Sequence, residues 1–114
     1  MKNFIAVFLG GCLGGLIRAG IASLASPLLA VTIVNLIGAG LLASLTSRWL
    51  QHRLPAWLGL GLGTGFCGSL TTFGTLIMAL MHANLPMAIL YLGLNVVGGV
   101  LIGWLVYTGG RHHV

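Results

Sequence analysis

Between Trp57 and Leu80 runs an apolar stretch of about 24 residues, long enough at roughly 1.5 Å per residue to cross a bilayer as one helix. Its middle is Gly65-Phe66-Cys67-Gly68-Ser69-Leu70-Thr71-Thr72-Phe73-Gly74-Thr75, a small and polar run that falls at mid-membrane depth. Glycines and threonines there loosen the helical ladder and free backbone carbonyls. Lipid cannot hydrogen-bond them, so they must face protein, water or an ion. The stretch therefore predicts a transmembrane helix broken near its middle, with the break serving a site.

The rest of the chain agrees with a membrane setting. Of 114 residues, 58% are hydrophobic and 4% charged, and there is no Asp or Glu, which excludes an ordinary soluble domain. Residues 1–114 are expected to form a single all-α transmembrane domain of four helices. The missing carboxylates also narrow the chemistry. A proton-coupled exporter of this size needs a membrane-embedded acid, and an enzyme needs a nucleophile with a base or a metal constellation. Neither is encoded. The net charge of +5 comes from residues scattered at helix ends, which offers nucleic acid no basic surface.

In chain order, Lys2-Asn3 leads into a first span, Phe4 to Ala25. Gly10, Gly11, Gly14 and Gly15 form overlapping GxxxG pairs, the small-residue pattern that lets helices approach closely in lipid. Arg18 lies deep in this span and either points into the bundle or an aqueous vestibule, or snorkels to the interface. Ser26-Pro27 ends the span, and a second runs from Leu29 to Leu50 with Thr32, Asn35 and Gly38 on one polar face. Asn35 reads as interhelical glue or as a functional amide. Arg48, Gln51, His52, Arg53 and Pro55 form the loop with concentrated charge, expected to be cytoplasmic. With Lys2 and Arg111 this places four of the five basic residues on one side and both termini inside.

His82-Ala83-Asn84-Leu85-Pro86 is a turn, with His82 interfacial, into a fourth span from Met87 to Thr108. Tyr91, Asn95 and Gly98-Gly99 share one face of that span. Asn95-Val96-Val97-Gly98 echoes Asn35-Leu36-Ile37-Gly38, a faint internal repeat. His112 and His113 read as a solvated tail, since two adjacent histidines do not close a metal site. Cys12 and Cys67 lie inside spans and act as small apolar residues. The donors that remain are Thr72, Thr75, Asn35, Asn95 and Tyr91, with aromatic ring edges beside them, a set that suits an anion.

These residues carry a resemblance. Gly65 to Thr75 is similar to the G-F-C-G-G-[FL]-T-T-F-S-T signature of the CrcB, or Fluc, fluoride channels. Gly10 to Gly15 with Arg18 resembles that family's glycine-rich first helix, and Thr32-Ile33-Val34-Asn35-Leu36-Ile37-Gly38 resembles its T-L-x-x-N-x-x-G second helix. The resemblance implies an antiparallel dimer of four-helix subunits in the plasma membrane, conducting fluoride out of the cytoplasm. It implies a structural sodium ion at the dimer axis, held by the carbonyls of Gly68 and Thr71. It places Phe73, Thr75, Asn35, Tyr91 and Asn95 along the fluoride pathway and Arg18 beside a vestibule.

Three positions depart from the family pattern. Its second pore phenylalanine is Leu76 here, the serine after the first is Gly74, and an acidic residue a turn later is Ala79. Leucine has no quadrupolar edge and glycine no hydroxyl, so one pathway of a pair is expected to be degenerate. Together with the charge bias, this points to a heterodimer with a homologous, oppositely inserted subunit, the alternative being a homodimer. A non-conducting structural partner that keeps the scaffold is the other function left open.

Overall fold

The computed structural model describes residues 1–47 and 52–111. Arg48 and Gln51 of the charged loop, and His112 and His113 of the tail, lie outside the described residues. Helix α1 is Lys2–Leu24, α2 is Pro27–Thr46, α3 is Ala56–Leu60, α4 is Gly68–Leu70, α5 is Gly74–Met81 and α6 is Leu85–Arg111, with a π-helical segment Gly61–Cys67 between α3 and α4. Among the described residues, four stretches are long and apolar enough to cross a membrane: Lys2–Leu24, Pro27–Thr46, Ala56–Met81 and Leu85–Gly109. The chain is thus an all-helical, multi-pass membrane protein with four spans, the third interrupted.

Local chemistry sets the span ends. Pro27 opens α2 where its missing N–H costs nothing, and Ser47 closes it in an extended conformation, donating from its hydroxyl to Ser44 O at 2.7 Å. Helix α2 thus ends at Thr46, and the expected boundary at Leu50 lies outside the described residues. At the last turn, the Asn84 side chain accepts the Met87 N–H at 3.0 Å, which anchors the first turn of α6. His82 is exposed there and bonds back to Met78 O through Nδ1 at 2.9 Å.

Packing runs through small residues. Helix α1 lies along the π-helical segment and α4, while α2 crosses α6. A Cβ at Gly10 would meet Gly61 O, one at Gly14 would meet Phe66 O, and one at Gly65 would stand 2.6 Å from Val7 O. Main chain meets main chain along this seam. Only residues without a side chain allow that approach, which is the physical content of the GxxxG pattern in α1. The side of the subunit away from these contacts stays apolar and open, with residues such as Phe4, Phe8, Leu16, Val100 and Trp104 exposed. In a membrane that surface meets lipid or another subunit.

The interruption is shorter than the sequence suggests. Gly65 and Gly68 remain helical, and no glycine among the described residues adopts positive φ. Regular structure is lost only from Thr71 to Phe73: Thr71 is extended at φ −80°, ψ 152°, and α5 restarts after Phe73. The glycine-rich half widens to i→i+5 bonding instead of unwinding.

Candidate functional site

Around the interruption, α2 and α6 bring side chains against freed backbone. Asn35 of α2 pairs with Thr72 as one peptide pairs with another: its Oδ1 accepts the Thr72 N–H at 2.9 Å and its Nδ2 donates to Thr72 O at 3.1 Å. The second Nδ2 hydrogen goes to Asn95 Oδ1 at 2.7 Å. Asn95, 8% exposed, donates through Nδ2 to Thr32 Oγ1 at 2.9 Å and to Tyr91 O at 2.8 Å. The Thr32 hydroxyl in turn donates to Leu28 O at 2.8 Å. Among the described residues no buried side-chain N or O lacks a partner. A polar network inside an apolar bundle is stable only when it is complete, and this one is.

The faint repeat now has a physical meaning. The two N-x-x-G motifs meet: Asn35 bonds Asn95, and a Cβ at Gly98 would stand 3.0 Å from Leu36 Cδ2. Gly38 admits the Thr71 methyl group in the same way. The repeat motif is where α2 and α6 cross and where α2 receives the break.

On the carbonyl side, Thr71 N–H bonds Cys67 O at 3.0 Å, and the Thr71 hydroxyl donates to the same oxygen at 2.8 Å. The Thr72 N–H goes to Asn35 and the Thr75 N–H to Thr72 Oγ1, so the two amides that would bond the carbonyls of Gly68 and Thr71 in a regular helix are engaged elsewhere. Gly68 is exposed and nothing would meet a Cβ there within 4 Å, so this part of the break lies on the open face of the subunit. Beyond the break, the Thr72 hydroxyl accepts the Thr75 N–H and donates to Thr75 Oγ1, each at 3.3 Å. The Thr75 hydroxyl hydrogen then has no acceptor among the described residues.

Three cavities meet at these residues. A groove of about 410 Å³ is lined by Asn35, Gly68, Thr71, Thr72, Phe73, Leu76 and Asn95 among others. A smaller one, about 270 Å³, holds Arg18 with Thr72, Thr75, Val31 and Val34. A third, about 490 Å³, brings Thr75 together with Tyr91 and His82. The expected site residues thus gather around one interruption but in separate compartments. Asn35, Asn95, Phe73, Gly68 and Thr71 share the groove, Arg18 joins Thr75 on another side, and Tyr91 reaches Thr75 on a third. Arg18 is half-buried and lines the second of these cavities beside Thr72 and Thr75.

Phe73 is 71% exposed and lines the groove, whereas Leu76 is 3% exposed in its wall. Thr32 is the site residue that reasoning from sequence misses. Its place on the Asn35 face is visible there, but nothing local says that a fourth-span amide meets it.

A family model described as "CrcB-like protein, Camphor Resistance (CrcB)" matches residues 5–109. The fluoride-specific ion channel FluC 2 of Ligilactobacillus salivarius is 42% identical over 111 residues, covering 96% of this chain and 83% of the relative. FluC of Gloeobacter violaceus is 33% identical over 122 residues, covering 97% and 98%, and FluC 1 of Mycobacterium tuberculosis is 38% identical over 111 residues, covering 88% and 83%. The match runs through all four spans and both partners of the Asn35–Asn95 contact. The chain accordingly belongs to the CrcB, or FluC, family of fluoride-specific ion channels and is not an enzyme.

Proposed function

We propose that this protein is a channel subunit through which fluoride leaves the cytoplasm, and that it works as an antiparallel dimer. The observation that carries the reading is the break itself: polar main chain, a projecting aromatic ring and hydroxyl donors gathered on an incompletely enclosed face of a membrane bundle. Fluoride is small and tightly hydrated, so a pathway must replace its water with donors spaced closely enough to pass it on. Phe73 offers a ring edge carrying partial positive charge, and Thr75 and Tyr91 offer hydroxyls. Arg18 raises the local anion concentration beside Thr75. Asn35 and Asn95 line the groove, yet their amide hydrogens are all engaged by protein, so their part is to shape the pathway wall. Direction follows from the field. An inside-negative potential favours anion exit by about 2.3 kcal/mol per 100 mV, so a passive pore suffices for export.

The geometry supports a second subunit. Phe73 is too exposed to form half of an enclosed passage alone, and the open face beside Gly68 needs a partner to exclude lipid. The carbonyls of Gly68 and Thr71, relieved of helical partners, are the hard oxygen donors that a sodium ion prefers. They are too few in one subunit for a complete shell, so such an ion would sit at the dimer axis. Bound there, it would neutralise the freed carbonyls of both breaks.

The partner we propose is a homologous subunit in the opposite orientation, because Gly74, Leu76 and the one-sided basic loop make this chain a poor half of a symmetric pair. That relatives carry the names FluC 1 and FluC 2 is in keeping with paired subunits. Fluoride efflux from liposomes holding the purified chain alone, and then with a co-expressed homologue, tests both parts. The heterodimer predicts efflux only from the pair. Efflux from the chain alone would establish the homodimer, and none from either would leave the scaffold role suggested by Leu76 and Gly74.

A further inference from the structure

Asn35 holds the break, and something must hold Asn35. Its carboxamide is placed by three bonds, two to the Thr72 main chain and one to Asn95 Oδ1. The polarity of the whole chain of bonds is determined from its ends. Leu28 O and Tyr91 O can only accept, so the Thr32 hydroxyl donates to the first and Asn95 Nδ2 to the second. With its one hydrogen engaged, the Thr32 oxygen can only accept from Asn95, which turns Asn95 Oδ1 toward α2. At the other end the Thr72 N–H can only donate, which turns Asn35 Nδ2 toward α6. The two requirements agree, and each of the six hydrogens involved has one acceptor. Reversing either amide would set like groups against each other at all three of its bonds.

We propose that Thr32 and Asn95 are positioning residues for the break. Through a relay running Thr32, Asn95, Asn35, Thr72 they fix the carboxamide that replaces the helical bond lost at Gly68, and so keep that carbonyl free. Neither needs to touch the ion. Thr32 acts through two intervening side chains, and its hydroxyl matters as an acceptor, a property that serine shares and valine lacks. As a statement about conduction the relay rests on the channel reading above. As a statement about the break it stands independently of it.

Cys67 supplies the readout. It is 2% exposed, and its carbonyl takes both bonds from Thr71, so a break that loosens uncovers the thiol. In a Cys12→Ala background, the rate at which a membrane-permeant maleimide labels Cys67 is measured in proteoliposomes, with fluoride efflux followed in the same preparation. Thr32→Val removes the acceptor at constant shape, and the expected rise in labelling rate is about threefold to tenfold, the range for one interhelical hydrogen bond in a membrane bundle. Thr32→Ser is expected to label at the wild-type rate. Asn95→Leu, the second variant should the valine protein fail to fold, is expected to exceed the valine effect because it removes both links. Wild-type labelling in Thr32→Val or Asn95→Leu would overturn the relay, as would serine behaving like valine. Raised labelling in these variants, where the unsubstituted protein itself never passes fluoride, would keep the relay and remove the channel.

Discussion

Gly65 and Gly68 stand one turn apart in the third span, yet one is walled in and the other faces open space. A Cβ on Gly65 would lie 2.6 Å from Val7 O, whereas one on Gly68 would meet nothing within 4 Å. The difference divides the span into two regions with opposite tasks. Before Cys67, Gly61 and Gly65 exist for contact, letting α1 press backbone against backbone, and the chain there stays helical although widened. After Leu70 the span has opened, without any glycine at positive φ. What opens it is Asn35, which offers Thr72 a better-placed partner than the carbonyl one turn back. In this molecule glycine grants proximity, and a neighbouring helix decides where the ladder breaks.

The strongest way to break that comparison is to fill the contact side. Gly65→Val and Gly10→Val each drive a side chain into main-chain carbonyls that cannot swing away, and each is expected to cost at least about 3 kcal/mol, the upper end for overpacking. For a bundle of marginal stability this means loss of monodisperse protein in detergent, read by size-exclusion chromatography. Gly68→Ala, one turn on, should leave the elution profile unchanged. If both valine variants elute like wild type, the seam is not where α1 is held.

Next in size is Asn35→Leu. It strands the Thr72 N–H and C=O and the Asn95 Oδ1 at once, and unpaired buried polar groups cost roughly 1–3 kcal/mol each. Partial relief as Thr72 reverts to a helical bond limits the expected loss to about 2–4 kcal/mol. Thermal unfolding in detergent measures it, and Asn35→Asp should restore little, because a carboxylate accepts but cannot donate to Asn95.

Much of this architecture is legible in the residues themselves. The four spans follow from length and hydropathy, the α1 seam from its GxxxG spacing, and the polar faces that carry Asn35 and Asn95 from their three- and four-residue repeats. Two things are not legible there. The extent of the break is hidden because Gly65 and Gly68 look alike in sequence, and only the proximity of α1 tells them apart. The role of Thr32 is hidden because it depends on a contact 63 residues away, with no local pattern to announce it. Asn35, read from the sequence as glue or as a functional amide, has both its amide hydrogens held by protein, one at the break and one on α6.

Phe73→Ile sharpens the comparison from the open side. With 71% of the residue exposed in the subunit, the change should leave stability within about 0.5 kcal/mol while removing the ring edge proposed to face the anion. Fluoride efflux from liposomes containing the chain and its partner is expected to fall more than about tenfold, the effect of losing roughly 1.4 kcal/mol of anion stabilisation. Unchanged efflux would mean that this ring is not on the pathway and that the subunit serves as scaffold.

The smallest effect expected comes from Gly74, and it separates two accounts of the family departures. A Cβ there meets nothing within 4 Å, and the position sits at the start of α5 between Phe73 and Thr75. Gly74→Ser therefore adds a hydroxyl at no steric cost and reduces backbone freedom in the unfolded chain, a gain of a few tenths up to about 1 kcal/mol. If the missing hydroxyl limits conduction, fluoride efflux should rise about twofold to fivefold, because one added donor contributes on the order of 0.5–1 kcal/mol. Leu76→Phe is the contrasting change. Leu76 is 3% exposed, so a larger ring must overpack the groove wall, and stability should drop by about 1–3 kcal/mol before any edge reaches an anion. A serine that raises efflux beside a phenylalanine that only destabilises would show that the second position has been absorbed into the core of this subunit, leaving the first to line the pore.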